Sequence, residues 1–203
     1  MDTQDQIDKL SREVAELRDT IGQKVDIGPS IGTSCELGER VQVHHGSVLK
    51  GKISVGNDTV IWPNAQWDGP ITVGSHVFVN QGSYIRPYVT IEDRVSIGPF
   101  VRIISDTHDI SAGQRRTGTP RKDPIVIGAG TWIGAGATVM GGVTVGQRSI
   151  IAAGAVVTED VPDNVLVAGV PARLIRRIAD GENGATLTAP DQPEFKDVGA
   201  SAL

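Results

Sequence analysis

The chain carries a single cysteine, Cys35, so no disulfide can form within it. Aromatic side chains make up 4% of its 203 residues while glycine numbers 25, a balance suited to tight coils of small residues. Lys and Arg total 19 against 24 Asp and Glu, and the net charge of −5 argues against a nucleic-acid partner, which calls for a basic surface. Nowhere do eighteen apolar residues follow one another, and the opening MDTQDQIDKL has neither a basic start nor an apolar run. The expectation is therefore a soluble cytoplasmic protein without membrane insertion. At this length the chain can build one sizeable domain.

What is abundant is a period of six. Set out six to a line from Val25, the first position reads V, I, L, V, L, V, I, W, V, V, I, I, I, I as far as Ile103, fourteen residues without a polar one. The column resumes at Ile127, Ile133, Val139, Val145, Ile151 and Val157. Ile103 and Ile127 are 24 residues apart, so the phase survives the interruption. The fifth position is small or β-branched, from Cys35, Val41 and Ser47 to Ser149 and Ala155, which makes Cys35 a buried small apolar side chain. Glycine recurs at the second position, at 32, 38, 56, 74, 98, 128, 134 and 146. It marks corners that need φ above zero or a close backbone approach.

An apolar pair every six residues with a corner after it fits neither the 3.6-residue helical period nor hairpins with polar turns. Each hexad is one short strand. Strands that all turn the same way stack their aliphatic column inward as a parallel β-helix, coil over coil at roughly 4.8 Å.

Hexads such as IGAGTW and IGAGAT resemble those of the hexapeptide-repeat acyltransferases, in particular the maltose, galactoside, nodulation-factor and polysaccharide O-acetyltransferases. The resemblance covers Val25 to Ile178 and implies an all-β fold, a left-handed parallel β-helix with three hexads per coil. The usual right-handed crossover preference would not suggest that hand. It also implies an acyl-CoA-dependent acetyltransferase that assembles as a homotrimer, with active sites between subunits.

Ahead of the repeats, over 1–24, Ile7, Leu10, Val14, Leu17 and Ile21 are spaced as the a and d seam of a coiled coil, with Gly22 to end the helix. The alternative is a single helix covering the open end of the prism. The β-helix is expected over 25–170 with a protruding loop at 104–124, a short amphipathic capping helix over 171–178, and a disordered tail over 179–203.

The loop, ISDTHDISAGQRRTGTPRKDP, leaves the coil and returns in phase, and loops of this length in compact domains are usually functional or disordered. His108 stands near its root, where the O-acetyltransferases carry their catalytic histidine. An imidazole there suits removal of a hydroxyl proton during attack on a thioester. Asp106, Asp109 or a backbone carbonyl is left to hold its second nitrogen. Asn80 matches the asparagine that holds the acceptor near the histidine, its alternative being a turn residue in the left-handed region.

The resemblance also implies that Trp132, Gly134 and Ala135 line the groove for the pantetheine arm of acetyl-CoA, the last two through backbone amides that also face the oxyanion. It places Ala152, Ala153 and Thr158 at the adenosine, and Arg173 and Arg176 near the phosphates. Ala135 stands where some relatives have serine, and Glu159 where several have lysine. The function implied is transfer of an acetyl group from acetyl-CoA to a saccharide hydroxyl.

Two enzymatic alternatives share the prism. N-acetyltransferases of nucleotide-linked amino sugars generally lack a histidine at the loop root. The γ-class carbonic anhydrases hold zinc with three histidines on stacked coils, whereas His44, His76 and His108 are 32 residues apart against a coil of about 18, so no metal is expected. His44, His45 and His76 are read as exposed corner or face residues. A scaffold without catalysis would need neither His108 nor the GVPARLIRR ending.

Overall fold

The computed structural model describes Lys9 and residues 28–179; apart from Lys9, the segment expected to form the N-terminal helix lies outside these, as does the tail beyond 179. The hexads form strands of two to four residues, and every third strand of the prism joins the same sheet. The first face runs from Ser30–Ile31 to Val156–Val157, the second from Cys35–Leu37 to Thr144–Val145 and the third from Gln42–Val43 to Val165–Ala168. Neighbours pair in parallel one coil apart, as Ser30 with Val48 and Ile53 with Ile71, both 18 residues on. The result is a three-sided parallel β-helix, consistent with the left-handed prism expected. Across the insertion Arg102 pairs with Thr138, 36 residues on, so the insertion takes up the length of one coil and leaves the register intact.

The first-position column is the core: from Leu49 to Val157 its members are buried, and only at the first described coils are Ile31 and Leu37 exposed. Cys35, on those coils, is half-buried rather than buried. Trp67 enters an otherwise aliphatic column because the fifth position one coil on is Ser83, whose hydroxyl accepts the indole N–H at 3.0 Å. Buried hydroxyls elsewhere cap the corners. Thr131 donates to the Gly146 carbonyl at 2.8 Å and Ser149 to that of Pro162 at 2.7 Å, so these polar atoms are buried with partners.

The corner glycines act through close approach. A Cβ on Gly56 would lie 2.6 Å from the Gly74 carbonyl carbon, and one on Gly98 2.7 Å from the Ala135 nitrogen. Positive φ falls instead two residues later, at Asp58, His76, Gly82, Phe100 and Gly136 among others. Asn80 is not among the positive-φ residues, which removes the left-handed turn as its explanation.

The expected capping helix over 171–178 is a correction. Arg173–Arg177 is a strand, antiparallel to Val165–Ala168, with Leu166 opposite Arg176. The last coil offers a row of unpaired backbone groups that a returning strand satisfies and a helix cannot. Over so few residues apolar periodicity does not separate the two.

Candidate active site

Three edges separate the faces, and each carries its own second-position column. Along the first edge, between the first and second faces, stand Lys50, Asp68, Arg86, Ile104, Met140 and Thr158. Along the third edge, between the third and first faces, stand His44, Trp62, Asn80, Gly98, Gly134 and Ala152. A face is one hexad wide, so the two edges lie up to roughly 20 Å apart.

The insertion leaves from the first edge as a hairpin, Asp106–Ile110 against Thr117–Lys122. Its ends are closed by the Asp123 N–H on the Ser105 carbonyl at 2.8 Å. His108 lies on the outgoing strand opposite Pro120, exposed, in a hollow of about 510 Å³ lined by Asp106, Thr107, His108, Pro120, Arg121 and Lys122. Past His108 the register shifts, with Ile110 opposite Thr117, and Gly118 fits there because a Cβ would meet the Asp109 carbonyl oxygen at 2.8 Å.

Neither carboxylate considered as the partner of His108 is turned to it. Asp106 accepts from Arg86 Nε at 2.9 Å and Nη2 at 2.7 Å, and Asp109 from Arg121 at 3.1 Å. Hydrogen bonding from Arg86 holds the Asp106 carboxyl below the usual carboxylate value, and Asp106 in turn raises the guanidinium. His44, His76 and His108 stand at the third edge, the second edge and the hairpin, with no common centre among the three.

The third edge brings together Asn80, Gly134, Ala135, Ala152 and Ala153, with Trp132 exposed on the adjoining face. Asn80 Oδ1 accepts the Gln81 N–H at 2.8 Å, which leaves its amide NH₂ for other partners. The expected Gly134 amide is engaged in the prism, its N–H donating to the Ile151 carbonyl, and the Ala152 N–H likewise donates to that of Val167. The amides of the exposed residues after them, Ala135 and Ala153, have no acceptor among the described residues. On the second edge the equivalent amides of Glu39, Asn57, Ser75, Ala129 and Gln147 are each capped by a side chain. The third edge therefore presents bare donors where another edge of the same prism covers them.

Thr158 lies on the first edge, and Arg173, paired with Ala168 on the strand that closes the third face, reaches Glu159 at 3.5 Å. Arg176 is half-buried on the closing strand. The sequence-derived set thus divides in a single chain: His108 and Thr158 on the first-edge side, Asn80, Trp132, Gly134, Ala135, Ala152 and Ala153 on the third, with Arg173 and Arg176 on the strand that closes the third face. Reading along the hexads missed Arg86. Reading every eighteenth residue sets Asp68 under Arg86 as an opposite-charge pair, which is the signal that was there.

The family described as bacterial transferase hexapeptide (six repeats) matches residues 124–159. The chain is 38% identical over 127 residues to a galactoside O-acetyltransferase of Escherichia coli (strain K12), covering 58% of this chain and 63% of that protein. It is 35% identical over 117 residues to a galactoside O-acetyltransferase of Lactococcus lactis subsp. lactis (strain IL1403), covering 54% and 56%. The chain thus spans less than two thirds of the length of these curated relatives. Among solved structures, a hexapeptide-repeat acetyltransferase of Vibrio cholerae O1 biovar eltor, complexed with acetyl coenzyme A, superposes with a TM-score of 0.54 at 28% identity, over 86% of this chain and 90% of that one. An N-acyltransferase of Bacillus cereus, complexed with dTDP and coenzyme A, shares the fold at a TM-score of 0.63 and 20% identity, over 71% and 83%.

Proposed function

The chain belongs to the hexapeptide-repeat family, and from that premise we propose that it is an acetyl-CoA-dependent O-acetyltransferase acting on a saccharide hydroxyl, with His108 as general base. A nitrogen of His108 takes the hydroxyl proton as the acceptor oxygen attacks the thioester carbonyl. The oxyanion is met by the Ala135 N–H. Collapse of the tetrahedral intermediate breaks the C–S bond, and the imidazolium returns its proton to the departing thiolate, so ester and free CoA thiol leave. Asn80 holds the acceptor through its amide NH₂. The ring stack of His44 on Trp62, at 5.5 Å, lies one coil below Asn80 and gives a sugar ring an apolar floor. On the other side of Asn80, CoA runs past Trp132 and the Ala153 amide.

The observation that carries this reading is the division of the set between two edges. His108 and Asn80 lie at similar heights, since the hairpin leaves within about one coil of Asn80, yet they are a face apart. A homotrimer in which the first edge of one subunit meets the third edge of the next closes both halves of the site, three times over. It also sets Thr158 of one subunit along the CoA groove of its neighbour, while Arg173 and Arg176, on the strand that closes the third face above Trp132, belong to the subunit that carries that groove. Phosphate there must displace Glu159 from Arg173.

The test is release of CoA thiol from acetyl-CoA over saccharides, nucleotide-linked amino sugars and other alcohols, with His108→Ala beside the wild type. A hydroxyl acceptor is expected to drive release, and the variant to lose at least about 10²-fold in kcat with its oligomeric state unchanged. Release driven only by amines, or an equally fast alanine variant, overturns the reading in favour of N-acylation or a scaffold.

A further inference from the structure

We propose that Arg86 is a positioning residue for His108: its ion pair with Asp106 sets the direction in which the hairpin presents the imidazole. The proposal rests on His108 acting as the base.

Cross-strand pairs and residues two apart share one face of a strand pair, so Asp106, Lys122, His108 and Pro120 lie on the same side of the hairpin. That side is tied to the prism by three successive corner residues. Arg86 Nε and Nη2 both donate to Asp106 Oδ2, at 2.9 and 2.7 Å. The Pro87 carbonyl accepts the Ser105 hydroxyl. The Tyr88 ring lies under the Lys122 ammonium, 5.4 Å from its centre. One strand is held by Arg86 and the other by Tyr88.

Arg86 is itself fixed. Its Nη1 donates to Asp68 one coil below, and its guanidinium carbon sits 5.7 Å from the centre of the Tyr84 ring. The charges on the far side of the hairpin are settled locally, by Arg121 between Asp109 and Asp123. His108 is the last residue of the regular pairing before the register shifts, so its aim is governed from the Asp106 end. The guanidinium fork also keeps the Asp106 carboxylate occupied, two residues from the imidazole and on its side of the strand. With the fork gone, the carboxylate faces His108 and Lys122 alone and favours the imidazolium.

The experiment compares the full-length wild type with Arg86→Met, Arg86→Lys, the double variant Arg86→Met with Asp106→Asn, and His108→Ala, using acetyl-CoA and the best acceptor of the panel. Arg86→Met is expected to lower kcat about 10- to 100-fold, as misplacement of a catalytic group does, with KM for acetyl-CoA within about twofold. The acid limb of its kcat/KM profile moves to higher pH. Adding Asp106→Asn returns the limb but not kcat, and Arg86→Lys falls between. Amide exchange quickens over 105–123 and stays unchanged in the prism.

An Arg86→Met enzyme with wild-type kcat and an unmoved limb overturns the proposal. So does a loss of kcat with neither limb nor hairpin exchange altered. If Arg86→Met fails to fold, Arg86→Lys and Asp106→Asn decide by the same readouts. An active His108→Ala removes the base assignment and this proposal with it, whereas an inactive His108→Ala beside a fully active Arg86→Met removes this proposal alone.

Discussion

Asn80 stands where Gly98 and Gly134 stand on later coils, at a corner whose backbone a glycine satisfies. Asn80→Gly is therefore expected to keep the prism, costing about 1 kcal/mol in chain entropy. It is expected to lower kcat about 10²-fold, as loss of a placed hydrogen-bonding group does, and steady-state rates beside thermal unfolding check both halves. Gly98 is the converse case. An alanine Cβ would lie 2.7 Å from the Ala135 nitrogen and 3.0 Å from the Gly134 carbonyl carbon, and backbone cannot move aside as a side chain can. Gly98→Ala is expected to lose about 1–3 kcal/mol in denaturant unfolding, the usual range for overpacking. Both positions were legible as corners in the six-residue period. Which corner amides are capped was not, because Glu39 and Ala135 occupy equivalent positions of their hexads and differ only in what the next coil sets above them.

The hairpin was legible as an insertion and not as strands. Its return segment Thr117–Lys122 is polar and contains Pro120, so it lacks the alternation of a strand, and its pairing is imposed by the closed root. That root titrates. Arg86 holds the Asp106 carboxyl below its unfolded value near about 4, so the pair stabilises the root above that pH and loses its contribution as pH falls through the depressed folded value. Amide protection over 105–123, corrected for intrinsic exchange, is expected to be level from about pH 8 to 5 and to fall below about pH 4. Asp106→Asn should show no such acid-dependent fall. The closing strand Arg173–Arg177 carries the same lesson: five residues with apolar Leu174 and Ile175 between arginines specify neither helix nor strand, and the unpaired edge of Val165–Ala168 decided between them.

At the scale of the whole molecule the two halves of the candidate site belong to different edges, and this predicts complementation. In a trimer of mixed His108→Ala and Asn80→Gly chains, a site that takes its histidine from one subunit and its asparagine from the next is intact only when the first carries Asn80→Gly and the second His108→Ala. Random reassembly of two inactive variants in equal amounts is expected to restore about a quarter of wild-type activity. A mixture that stays inactive while sizing as trimers places both residues of each site in one chain. The same mixture sized by light scattering tests the trimer itself.

The six-residue period by itself determined the all-β coil, its buried column and the in-phase insertion, because a strict repeat of aliphatic residues has only one way to hide them all. Only the tertiary structure decided which residues share an edge, since edge membership depends on position modulo eighteen and on pairing across coils, neither of which a local pattern contains. The tie from Arg86 to Asp106 is of that kind. It joins residues 20 apart in sequence that meet because the hairpin leaves the prism one coil after the guanidinium.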